Sequence, residues 1–110
     1  MAEEEVALFF WSVAESILAD EAVSKGTMMG FPCLRVDGDF FASADRISGD
    51  LVVKLSADRV LELIDEGKGT AFAPNGRRFK EWVAIEERDA VFWERLILEA
   101  RAFVEGSRNI

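Results

Sequence analysis

An Asp37-Gly38 pair stands between two short apolar runs, Leu34 to Val36 before it and Phe40 to Ala42 after it. A two-residue connection of this kind takes positive φ at both positions and closes an antiparallel hairpin, which fixes the register of the two strands it joins. A second turn at Ser48-Gly49-Asp50 leads into Leu51 to Leu55, where Leu51, Val53 and Leu55 share one face, so the middle of the chain reads as a three-stranded meander. Upstream, Met28 to Val36 is an extended run interrupted by Gly30 and Pro32. Proline removes a ladder donor, so this strand is expected at a sheet edge or starting late, near Cys33, with Ser24 to Thr27 as a loop.

Helical signals flank the meander. Glu3 to Glu5, followed by Val6, Phe9, Phe10, Val13, Ala14, Ile17 and Leu18, keep the three-four spacing of an amphipathic helix with an acidic first turn. Ser56 supplies an N-cap oxygen, Val60, Leu61, Leu63 and Ile64 an apolar stripe, and Gly67 a stop. Thr70 to Phe72 reads as a brief strand, Pro74-Asn75-Gly76 as a turn, and Phe79 to Ile85 as a strand with Trp82 and Ala84 on one face and Val83 and Ile85 on the other. Asp89 to Glu105 is the last helix, stopped by Gly106. The order α-β-β-β-α-β-β-α, with tight turns between strands, implies a two-layer α+β fold with helices packed on an antiparallel sheet, a single domain over residues 1–110. The tetrapeptide Ser-Ala-Asp-Arg at 43–46 and 56–59 is too closely spaced for a repeat architecture.

Inventory excludes several chemistries. The chain has no His and one Cys, which removes histidine acid-base catalysis, His/Cys zinc sites and an internal disulfide; no metal or cofactor is expected. Close carboxylates, Asp37 with Asp39, Asp65 with Glu66 and Glu86 with Glu87, fit a turn and two solvated helix ends better than a cation site or an acid-base pair. The apolar stretch from Val6 to Ala14 is preceded by acids where an export signal needs positive charge, and Glu15 and Asp20 cut it short of a membrane span, so a cytoplasmic protein with no membrane contact is expected. Cys33 reads as a structural thiol.

Charge is unevenly placed. Lys68, Arg77, Arg78 and Lys80 lie between Gly67 and Lys80 without an intervening acid; with a net charge of -8 overall and +4 in this stretch, the remainder carries -12. Arginines grip carboxylate or phosphate, the Asn75-Gly76 backbone has N–H groups to add, and Trp82 stands nearby as a wall. The alternative is that these four cations pair with the protein's own surplus acids, within the chain or across a subunit boundary. Gly67-Lys68-Gly69-Thr70 is not a phosphate loop, since Glu62 stands where that motif needs glycine and the flanking elements are reversed. Nine Phe and three Trp are a large load for one core. Trp93 and Phe103 are expected inside, whereas Trp11, Phe41 and Trp82 are candidates for a protein-protein surface, a homodimer above all.

The succession Val36-Asp37-Gly38 with Phe41-Ala42, then Val53-Lys54-Leu55 with Arg59, Leu63 and Gly67, then Gly69-Thr70, Phe72, Pro74, Gly76-Arg77-Arg78 and Lys80-Glu81-Trp82-Val83, resembles the TfoX N-terminal domain family, from the competence regulators of the TfoX/Sxy type. The likeness spans about residues 7–104, with Met28-Met29-Gly30 in place of Met-Phe-Gly. It implies an α+β fold with an antiparallel sheet and a bacterial intracellular protein without an established enzymatic activity, and it brings no catalytic residues. Such regulators continue into a helical C-terminal domain that these 110 residues do not include, so their regulatory role is not expected to carry over whole. The sequence thus leads to a non-enzymatic interaction or regulatory module, with anion or metabolite binding at Lys68, Asn75, Gly76, Arg77, Arg78, Lys80 and Trp82 as the alternative. Nucleic-acid binding is disfavoured by the negative body.

Overall fold

The computed structural model describes residues 3–108 apart from Met29 and Arg46, so the Met28-Met29-Gly30 departure and the first Ser-Ala-Asp-Arg fall partly outside it. The elements run α1 (Glu3–Ala14), a 3-10 turn (Ile17–Ala19), β1 (Val23–Met28), β2 (Phe31–Val36), β3 (Asp39–Ala44), β4 (Leu51–Lys54), α2 (Ala57–Asp65), β5 (Thr70–Ala71), a 3-10 turn (Pro74–Gly76), β6 (Trp82–Ile85) and α3 (Ala90–Arg108). The six strands form one antiparallel sheet in the order β1-β2-β3-β4-β6-β5. With helices on one side, this is the two-layer α+β fold the sequence implies, and its radius of gyration is 12.9 Å.

Turn chemistry sets the register. Asp37 and Gly38 take φ of 50° and 91°, the left-handed pair a two-residue hairpin needs, and Val36 accordingly pairs with Asp39. A bulge opposite Leu34 and Arg35 then skips Phe41. Phe41 thereby joins the buried core at 0% exposure, against the expectation that it lies on the surface. At the next turn the Asp45 carboxylate accepts the N–H groups of Ile47 and Ser48, and Gly49 N–H donates to the Asp45 carbonyl. In α2, Ser56 Oγ accepts from Arg59 N–H at 3.2 Å, the expected cap. Its far end closes as a Schellman motif: Gly67 N–H reaches the Ile64 carbonyl and Lys68 N–H the Leu63 carbonyl.

Four expectations are corrected. Ser24 to Thr27 is not a loop but most of β1; a short edge strand carrying a lysine is stable without apolar alternation because only its inner side is paired. β2 is therefore interior and begins at Phe31, with Pro32 as its second residue, where the missing donor interrupts little, and the Pro32 carbonyl accepts the Ser43 hydroxyl at 2.9 Å. β6 begins at Trp82, since Phe79 to Glu81 turn back on themselves through a Trp82 N–H bond to the Phe79 carbonyl. Helix α3 passes through Gly106 to Arg108: at about 1 kcal/mol against alanine, one glycine near a helix end does not stop a helix anchored by packing.

The core lies between the sheet and all three helices. Phe10 and Val13 of α1, Val60 and Leu63 of α2, and Trp93, Leu96 and Ile97 of α3 meet Leu34, Val36, Leu51, Val53, Val83 and Ile85. Trp93 is fully buried as expected; Phe103 is only partly so. Trp11 is half-buried, with the Lys25 ammonium 5.0 Å from its ring. The opposite sheet face carries no helix among the described residues, yet a row across it, Cys33, Ser43, Val52 and Ala84 in register, is buried. What covers that row is the connection from β5 to β6.

Candidate functional site

Residues 72–81 leave β5, make the Pro74–Gly76 turn and return to β6 across the helix-free face. Phe79 N–H donates to the Phe72 carbonyl at 3.0 Å and the two rings stack at 5.9 Å between centroids, which clasps the arch at its base. Asn75 and Gly76 turn the tip with φ of 57° and 79°. Under the arch lies a pocket of about 200 Å³ lined by Phe31, Ser43, Asp45, Val52, Phe72, Phe79 and Trp82. Phe31 and Asp45 stand at its β2–β3 side and the loop aromatics at its β5–β6 side, so the cavity spans the sheet.

Phe79 and Trp82 are a shared wall. On their other side is a shallow cleft lined also by Lys54, Ala57, Lys80 and Glu81. The Arg77 guanidinium sits 5.7 Å from the Phe79 ring centroid, and Arg78 is exposed beside it. Among the described residues, Lys54, Arg77, Arg78 and Lys80 enter no ion pair; the pairs formed include Arg59 with Glu62 and Glu99, Arg101 with Asp20 and Glu105, and Lys68 with Glu66. Internal compensation therefore claims one of the four loop cations, Lys68, at 3.8 Å. The other three are free of carboxylates beside an apolar pocket.

The structure separates the expected site in two. Lys68 lies at the end of α2, in a depression shared with Thr70, Glu86 and Glu87, away from the arch. There the N–H groups of Gly67, Lys68 and Gly69 all donate to carbonyls of α2, so no phosphate cradle exists. Of the Asn75-Gly76 backbone, the Gly76 N–H is engaged within the turn, donating to the Ala73 carbonyl, as the Arg77 N–H does to the Pro74 carbonyl. Arg77, Arg78, Lys80 and Trp82 remain together.

Phe31, Ser43, Asp45, Val52, Phe72 and Phe79 escaped the sequence reading. A signal existed: Leu51, Val52 and Val53 are apolar at both parities, which requires cover on both sheet faces. Arg35 was missed too. It projects from β2 on the helix-free face, 4.7 Å from the Phe40 ring, with Nε buried and unpartnered, and packs on the bare backbone of Gly26.

Among the described residues of this site, no hydrogen bond joins a nucleophile to a base. The Ser43 hydroxyl donates to the Pro32 carbonyl and the Asp45 carboxylate accepts from the Ile47 and Ser48 N–H groups, so each is engaged with backbone and not with the other. Burial pushes the Cys33 thiol above its ordinary value, against a smaller opposing pull from Arg35. No helix among the described residues is long and apolar enough to cross a membrane. Comparison of the chain with protein-family models, curated proteins and solved structures finds no match.

Proposed function

We propose that this chain is a non-enzymatic interaction module that engages another protein through the helix-free face of its sheet. The observation that carries the reading is the aromatic pocket on that face, with Trp82 half-buried, Phe79 38% exposed and unpaired cations at the margin. An aromatic hollow rimmed by polar and charged side chains is the pattern of a docking site. Trp, Phe and Arg are also the residue types enriched where partners dock. The resemblance to the TfoX N-terminal domain family agrees with this, and we propose that family, a cytoplasmic setting and a regulatory role on the same footing.

Binding of a small anion is the weaker reading, because the Gly76 and Arg77 N–H groups are taken up within the turn. The test is a photo-crosslinking side chain placed at residue 79 in living cells, with one at Glu94 on α3 as control. A discrete adduct with another protein at 79 and none at 94 is expected; adducts at 94 alone overturn the proposal.

A further inference from the structure

Resting on that reading, we infer that the occupant is an acidic protein segment carrying one large apolar side chain, which fills the pocket beneath Phe72 and Phe79 while flanking carboxylates meet Lys54, Arg77, Arg78 and Lys80. Three observations converge on this chemistry.

The first is size. At about 200 Å³ the pocket falls below the roughly 300 to 1,000 Å³ typical of small-molecule sites and suits a single aliphatic or aromatic side chain. The second is the shared wall. Phe79 and Trp82 divide the apolar pocket from the cleft that holds Lys54 and Lys80, so a ligand seated in one has its neighbouring residues in the other. A chain that alternates an apolar anchor with acids matches this; a uniformly apolar one does not.

The third is charge. Four cations without an ion pair, Lys54, Arg77, Arg78 and Lys80, gather around Phe79 and Trp82, whereas Lys25, Arg35 and Arg95, also outside the ion pairs, stand singly on β1, β2 and α3; Glu81 lies at the edge of the cluster and Asp45 at the far side of the pocket. A short acidic segment keeps its charge within the cluster. A nucleic acid has to run its phosphates past the surrounding acids, and a single strand needs a continuous basic groove. Asp45 also sets direction: the acids of the segment lie toward the arch and the cleft, and its residues near β3 are neutral or basic.

The experiment uses short fluorescent peptides with the full chain. One probe has a Phe between glutamates, a second replaces each Glu by Lys, a third replaces the Phe by Ala, and an oligothymidylate strand serves as the nucleic-acid probe. The acidic Phe probe is expected to bind saturably and to weaken steeply with salt. Its affinity falls roughly tenfold in the Arg77→Ala, Arg78→Ala, Lys80→Ala triple variant, and the Ala probe is weaker by about thirtyfold. Those three side chains are exposed and free of ion pairs, and only the Arg77 contact with the Phe79 ring is lost, so the variant melts within a few degrees of the parent. Equal binding of the Lys probe, preference for oligothymidylate, indifference to the triple variant or no binding of the acidic probe each overturns the inference. If adducts at residue 79 persist in that event, the partner's chemistry was misassigned and the interaction module stands; if they are absent, both fall.

Discussion

Replacing Trp93 by Phe tests how the helical layer holds β6, and through it the site, in place. Trp93 is fully buried, its ring meets Phe9 edge-on at 4.9 Å and 76°, and its Nε1–H donates to the Glu87 carbonyl at 2.7 Å. Glu87 lies just beyond β6, so one side chain ties the start of α3 to the strand that carries Trp82. Trp93→Phe keeps a ring against Phe9 but removes apolar volume equivalent to about two methylenes, roughly 1.5 kcal/mol, and the hydrogen bond, about 1 kcal/mol. The sum, about 2 to 3 kcal/mol, is a large part of the roughly 5 to 15 kcal/mol expected for a domain of this size and lowers Tm by about 10 to 20 °C. Urea titration followed by far-ultraviolet circular dichroism measures it without relying on the altered fluorophore. A loss below about 1 kcal/mol at unchanged m-value would refute the claim that this contact anchors α3 on the sheet.

Three further outcomes follow from the same structure. The Asp50 carboxyl is pushed above its usual range by burial first and then by Glu86 and Asp45; the folded chain thus holds this proton more tightly than the unfolded one, so the stability it lends is present at low pH and lost as pH rises through the folded pKa. Asp50→Asn is therefore expected to stabilise the protein at pH 7 and to lose that advantage below the ordinary carboxylate range in paired urea titrations, and a pH-independent difference contradicts this. Cys33 is fully buried with a raised thiol pKa, so Ellman's reagent should label it at the rate of unfolding, and rapid labelling of the native chain contradicts its burial. A Cβ at Gly26 would come within 2.8 Å of Arg35 Nε, so Gly26→Ala displaces that flexible side chain from Phe40 at a cost of about 1 kcal/mol or less. Combined with Arg35→Ala it should add almost nothing, whereas additive losses in a double-mutant cycle place Arg35 elsewhere.

How far the residues alone disclosed this molecule depended on how local the cause was. Asp37-Gly38, Ser56 and Gly67 act within a few residues, through backbone torsion and single hydrogen bonds, and each set its turn or helix end as expected. β1 was illegible because Ser24 to Thr27 has loop composition and becomes a strand only when β2 offers its edge. Phe41 was misplaced because it is itself the unpaired residue of a bulge, and bulges leave no mark in hydropathy. The cations of the site were legible as a charge anomaly. Their pocket was not, since Phe31, Val52, Phe72 and Trp82 come from four parts of the chain and converge only after the sheet is paired and the arch has closed through Phe72 and Phe79.

The claim beneath the functional account is that recognition happens on the sheet face opposite the helices. Amide chemical-shift mapping of the labelled chain, titrated with the partner recovered from crosslinking, addresses it residue by residue. The largest changes should fall at Phe31, Ser43 and Val52 and along residues 72–82, with α1 and α3 unmoved. Changes concentrated around Leu8, Val91 and Leu98, the exposed apolar residues of the helical side, would contradict it.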